Sequence, residues 1–192
     1  MSWTPLNVKT HFSLQRGFSK PDKLAKKCKE FGYKACAITD INTISGAVTF
    51  YKECKKNDIK PIMGCTLEFD NGKKKTVIAK NLICIDGLKQ YSAYYVEENE
   101  AEVHRILLCS GMKTTMSKVK GKLDSFKHLK PFFSSDKFYL PTIEEVKSKY
   151  TDEQITMSNE IADQCEEYDI LGQPMLPKFD CPEGYTEDEY LK

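Results

Sequence analysis

Three short apolar runs, each ending on a polar tip, alternate with two segments of helical period in the first third of the chain. The runs cover 6–9, 35–40 and 61–66, and the helical patterns cover 21–31 and 45–56. A strand–helix–strand–helix–strand order forces parallel pairing and gathers the strand C-termini at one rim. In barrels and open α/β sheets that rim carries the chemistry. Two further runs, 76–80 and 82–86, read as strands, with Asn71-Gly72 as a hairpin turn before the first. Beyond residue 140 the period becomes helical. Thr142 caps a short helix with acids in its first turn, and Thr151-Asp152-Glu153-Gln154 is a capping box for a helix running to about Tyr168. The apolar stripe of that helix, Ile155, Ser158, Ile161, Ala162, Cys165 and Tyr168, predicts docking on the body. Pro174, Pro177 and Pro182 then keep the chain extended. The pattern divides the chain into an α/β body, 1–140, and a helical tail with an extended linker, 141–192.

Composition adds a charge asymmetry. The 192 residues are 40% hydrophobic and 30% charged, with a net charge of +1. Residues 1–141 hold 25 Lys and Arg against 14 Asp and Glu, and residues 142–192 hold 4 against 14. An acidic tail beside a basic body either packs across it or offers a partner a separate face. Eight cysteines are scattered without a Cys-x-x-Cys pair, which predicts free thiols in a reducing cytoplasm. No apolar run approaches the length of a membrane span.

Several stretches resemble the PHP domain (polymerase and histidinol phosphatase), and more closely the N-terminal PHP domain of bacterial DNA polymerase III alpha subunits. They are Thr10-His11-Phe12-Ser13-Leu14, Phe18-Ser19-Lys20-Pro21, Ala37-Ile38-Thr39-Asp40 and the run from Ile59 to Cys65. Tyr94-Tyr95-Val96, the run from Glu100 to Cys109, the run from Phe133 to Leu140 and Leu176-Pro177-Lys178-Phe179 follow in the same order. The resemblance implies a distorted seven-stranded (β/α) barrel with metal ions held at the strand tips. Residues 66–94 leave room for little more than two strands where the family has a long middle. The expected fold class is therefore α/β, a shortened and incomplete PHP-type barrel of four to six strands with helices outside.

The family's metal ligands match seven positions here, and one is kept. The opening His-x-His falls on Asn7 and Lys9; Asp-His becomes Asp40 and Ile41; a Glu becomes Thr66; and a late Asp-x-His becomes Ser92-Ala93-Tyr94. A charged lysine donates no lone pair and repels a divalent ion. The expectation is a degenerate site without a resident metal. The alternative is a site rebuilt around Asp40 with His11 and Glu68, which share strand faces with Lys9 and Thr66. It would use Mn or Zn for phosphoester or 3′-5′ exonuclease chemistry, but each substitute lies about 6.5 Å along its strand from the lost ligand.

The resemblance implies a non-catalytic replication module that scaffolds or binds a replicative polymerase, a proofreading exonuclease or another replisome protein. It comes without the polymerase palm, so this chain is not expected to polymerise DNA alone. A fragment of a larger polymerase, a split-gene product and a free-standing phage-encoded relative in a host cytoplasm all fit. The open sheet edge invites a second copy of the chain. Lys118, Lys120, Lys122, Lys127 and Lys130, interleaved with Phe126, Phe132, Phe133, Phe138 and Tyr139, make single-stranded DNA a further candidate partner. The plainer account of that stretch is solvated lysines on a loop anchored by its aromatics.

Overall fold

A pleated strand sends successive side chains to opposite faces, and different parts of this chain cover the two faces of its sheet. The computed structural model describes residues 2–79, 83–84, 91–167 and 169–172. Four strands lie side by side in chain order: β1 (Ala35–Ile41), β2 (Lys60–Glu68), β3 (Lys74–Ile78) and β4 (Ile83–Cys84). β1 and β2 are parallel and joined through helix α2 (Ala47–Lys56), while β2–β3 and β3–β4 are antiparallel. The β2–β3 turn includes Gly72, with φ of 75°, a left-handed conformation that glycine adopts freely. The expected strand at 6–9 is reduced to bridges, because Val8 alone pairs with Ile38 on one side and Ala93 on the other, both in parallel. The result is an open mixed α/β sheet, as expected of an incomplete PHP-type barrel. The far end of the predicted 82–86 strand, Tyr168 and the prolines of the linker fall outside the described residues.

The convex face is covered by α2 and by α1 (Pro21–Glu30), which starts on Pro21 where the missing N–H costs nothing. Leu24, Ala25 and Cys28 of α1 and Phe50, Tyr51 and Cys54 of α2 pack on Val8, Cys36, Ile38 and Met63. Coverage stops short of β3, leaving an apolar groove of about 490 Å³ beside exposed Ile44 and Val48.

The concave face takes its cover from the tail. Helix α7 (Asp152–Gln164) and the residue that caps it, Cys165, set Ile161, Ala162 and Cys165 against Leu6, Ala35, Ala37, Ile62 and Ile78. Ile155 of the same helix enters the main core with Val146 of α6 (Ile143–Lys149). The expected capping box of Thr151 with Gln154 forms, and the expected Thr142 cap closes a box of its own with Glu145. Polar pins fix the docking. The Thr4 amide donates to Ser158 Oγ at 3.3 Å, and Asn159 Nδ2 donates to the Ser2 carbonyl at 2.6 Å. Lys60 Nζ donates to the Ala162 carbonyl at 2.7 Å, satisfying a helix-end acceptor. The side chain of Lys55 also pairs with Glu167 of the acidic tail at 2.8 Å.

A smaller apolar cluster stands apart, built by α3 (Ala101–Gly111), α4 (Met116–Gly121) and α5 (Lys130–Ser134) around Leu108, Cys109, Val119 and Leu129. Cys28, Cys36, Cys54, Cys65 and Cys109 are free thiols, four of them buried. No helix among the described residues is long and apolar enough to cross a membrane.

Because Ile155 is fully buried in the main core, Ile155→Ala should cost about 2–4 kcal/mol in denaturant unfolding while keeping a single transition. A tail helix resting loosely on the surface would lose well under about 1 kcal/mol.

Candidate functional site

Along the concave face the side chains change from apolar to polar one residue pair before the strands end. Thr39 follows Ala37 on β1, Thr66 lies two positions beyond Gly64 on β2, and Thr76 pairs with Thr66 from β3. At the same level the chain before α1 contributes Asn7 and Lys9, and the segment pairing with Val8 contributes Ser92. Five segments therefore bring six polar side chains to one layer. Gly64 sits just beneath, where a Cβ would lie 2.6 Å from the Val77 carbonyl oxygen.

Lys9 occupies the centre of this layer and is almost fully buried. Its Nζ donates to Asn7 Oδ1 at 2.9 Å, Thr39 Oγ1 at 3.0 Å, Thr66 Oγ1 at 2.5 Å and the Thr39 carbonyl. Those oxygens are themselves held. Asn7 Nδ2 donates to Ser92 Oγ at 2.7 Å, the Thr39 hydroxyl donates to Asn7 Oδ1 at 2.9 Å, and Thr66 Oγ1 lies 2.9 Å from Thr76 Oγ1. Burial lowers the Lys9 pKa from 10.5 to about 7, against the opposing pull of the nearby Asp40 and Cys65.

Asp40 points the other way along β1 and is consumed by the turn that follows residue 9. Its Oδ1 accepts from the Thr10 amide at 2.6 Å and from Ser13 Oγ at 2.6 Å, and its Oδ2 accepts from Thr10 Oγ1 at 2.7 Å. Ser13 Oγ in turn accepts from the Ile41 amide at 3.0 Å. From the opposite side, His104 of α3 places Nε2 at 2.7 Å from the Arg16 carbonyl; the acceptor puts the proton on Nε2. Burial holds the His104 pKa below its ordinary value, so the ring stays neutral. Gly17 closes the turn where a Cβ would stand 2.2 Å from the Thr10 carbonyl oxygen.

At the mouth above the polar layer, Glu68 meets Arg16 at 3.6 Å and Lys74 at 3.1 Å. Lys74 holds its carboxyl below the ordinary value against the opposing effect of burial, and Arg16 adds to this. A cavity of about 460 Å³ opens here, with Ile41 and Tyr94 in its wall. Tyr94 belongs to a ring cluster with His104, Phe132 and Phe138.

The structure thus brings together four of the matched ligand positions, Asn7, Lys9, Thr66 and Ser92, and sets Ile41 and Tyr94 at the cavity. Asp40 faces away into its turn. His11 is exposed, with Nδ1 3.4 Å from the Ser19 carbonyl and its ring against Phe12. Among the described residues no three His, Cys, Asp or Glu side chains converge as a metal would require, so His11, Asp40 and Glu68 do not form such a group. The neutral oxygens and the ammonium at the strand tips do not fit a divalent ion, which seeks carboxylate or imidazole.

The basic segment is placed plainly. Lys118, Lys120, Lys122, Lys127 and Lys130 are exposed, and Lys130 pairs with Asp124 at 2.6 Å. Phe126, Phe132 and Phe133 pack on the small α3–α5 cluster, and Phe138 and Tyr139 join Tyr95 and Ala101. Those rings anchor the segment instead of presenting a stacking surface. Sequence reasoning singled out neither Arg16 nor His104. The signal for His104 was its helical spacing with buried Ala101 and Leu108.

The PHP domain family model matches residues 5–190. The DNA polymerase III subunit alpha of Staphylococcus epidermidis is 25% identical over 245 aligned residues, covering 97% of this chain and 23% of that protein. The Chlamydia muridarum subunit is 38% identical over 92 residues, covering 44% of this chain and 7% of that protein. The Aquifex aeolicus subunit is 44% identical over 69 residues, covering 36% and 6%. This chain therefore spans less than a quarter of the length of these relatives. A solved structure described as a metal-dependent phosphoesterase from Bifidobacterium adolescentis aligns with a TM-score of 0.35 at 15% identity, covering 40% of this chain and 27% of that one.

The depressed Lys9 pKa has a definite sign in stability. Between about 7 and 10.5 the unfolded chain binds the proton that the folded chain has released, so unfolding becomes harder as pH rises through that window. Wild type should therefore gain on Lys9→Met by about 1 kcal/mol per pH unit between pH 7 and 9, read from denaturant unfolding of both chains. The difference should flatten below pH 7. Equal pH dependence in the two chains would show that Lys9 is not buried as described.

Proposed function

Because the chain belongs to the PHP domain family, we propose that it is a non-catalytic PHP module of DNA replication that binds or scaffolds a replicative polymerase or its proofreading exonuclease. The observation that carries this reading is the Lys9 ammonium seated among Asn7, Thr39 and Thr66 at the strand tips. A cation held by neutral oxygens leaves no ligand set for a divalent ion, and the turn around Thr10 and Ser13 engages Asp40. The similarity to polymerase III alpha subunits supports replication as the setting. An alignment of 245 residues over a 192-residue chain carries gaps, which supports a shortened domain.

Two measurements test the reading. The purified chain, supplied with Mn²⁺ or Zn²⁺ and then dialysed, should retain no stoichiometric metal and show no phosphoesterase turnover. Asp40→Ala should lower stability by about 2–4 kcal/mol through its lost hydrogen bonds without changing metal content. Stoichiometric metal with turnover would overturn the non-catalytic reading. The immobilised chain should also retain a purified polymerase III alpha subunit or proofreading exonuclease with micromolar affinity or better. Failure to retain either would remove the scaffold role.

A further inference from the structure

The oxygens at the strand tips are tied to one another as well as to the lysine that enters among them. Asn7 Oδ1 is held by the Thr39 hydroxyl at 2.9 Å, while Asn7 Nδ2 is tied to Ser92. Thr66 Oγ1 lies 3.1 Å from the Thr39 carbonyl oxygen and 2.9 Å from Thr76 Oγ1. Four oxygens from three residues then converge on one point, and all are amide, hydroxyl or carbonyl. None is a carboxylate, since Asp40 spends both oxygens on Thr10 and Ser13. Hard divalent ions are held by charged oxygens in large part, whereas neutral carbonyl and hydroxyl oxygens suit singly charged cations.

We infer that this cage is a monovalent-cation site, with the chemistry of an ammonium site, that the chain fills with its own Lys9. The cation links the segment before α1, β1 and β2 directly, and Thr76 of β3 and Ser92 of the segment pairing with Val8 join through Thr66 and Asn7. Its occupant is covalently attached, which removes the entropy of capturing a free ion. Removing the side chain while keeping the cage should expose a site for a small primary alkylammonium ion. The inference stands on the cage itself and goes beyond the scaffold reading. A chain that retained no polymerase would leave it intact.

The experiment uses the full-length chain carrying Lys9→Ala. The n-propylammonium ion supplies the three carbons and the ammonium group that this substitution removes. The melting temperature of Lys9→Ala should fall below wild type. It should recover by roughly 3–5 °C in n-propylammonium chloride over an equal concentration of tetramethylammonium chloride, as expected for a ligand near ten times its dissociation constant. Wild type should show no such difference, and Mn²⁺ or Zn²⁺ should restore nothing to the variant. Equal melting of the variant in the two salts, or larger recovery with Mn²⁺ or Zn²⁺, would overturn the inference. Should Lys9→Ala fail to fold, nitrogen-detected NMR of the lysine ammonium groups in wild type decides. One ammonium protected from solvent exchange at pH 6 and absent from Lys9→Gln supports the cage. Uniformly rapid exchange of all lysines sinks it.

Discussion

An ammonium leaves water at a cost of several kcal/mol unless protein oxygens replace its hydration. Lys9 meets that condition in part, since its oxygen partners replace some of that hydration while burial still lowers its pKa to about 7, and much of the molecule's geometry follows from it. The acceptors come from residues far apart in sequence, so the register of the segment before α1, of β1, of β2 and of β3 must be right at the same time. A one-residue slip in any of them would turn a polar partner to the convex face and set an apolar side chain beside the charge. The two threonines that flank the lysine, Thr39 and Thr66, are therefore as much a specification of the sheet as its apolar ladder is.

The lower half of the concave face and the whole convex face obey simpler rules. Small and aliphatic side chains at Ala35, Ala37 and Ile62 alternate with Cys36, Ile38 and Met63, and each set finds its own helical cover. This was legible in the sequence, because period-two alternation and helical stripes are local signals. So were the Thr142 cap and the Thr151 capping box, which need only a few residues to declare themselves. The first strand was not legible as a mere bridge, since nothing local to 6–9 says how much ladder its neighbours provide. Lys9 reads in sequence as a lost ligand. Only the fold shows that its side chain runs inward to a prepared set of oxygens. Asp40 was the reverse case: a retained family position whose carboxylate is spent on the turn at Thr10 and Ser13. Arg16 and His104 escaped notice because their meeting spans 88 positions of chain.

Hydrogen bonding and architecture are connected at the rim. Alanines at its polar positions would leave buried polar groups without partners at the ends of the strands, which is costly. The side chains of Asn7, Lys9, Thr66 and Ser92 instead form one hydrogen-bonded set. The turn clasped between Asp40 and His104 keeps Arg16 in place opposite Glu68.

The docking of α7 also has a consequence for how the chain is made. Leu6, Ala35, Ala37 and Ile62 are synthesised early, yet their apolar cover at Ile161 and Ala162 emerges from the ribosome about 100 residues after Ile62. Ser2 and Thr4 wait longer still for Asn159 and Ser158. The growing polypeptide must therefore carry this sheet face uncovered until that helix emerges. Contacts so distant in sequence make for late closure, and exposed apolar sheet is a surface that chaperones and neighbouring nascent chains recognise. Completion of this fold waits on the arrival of a single helix.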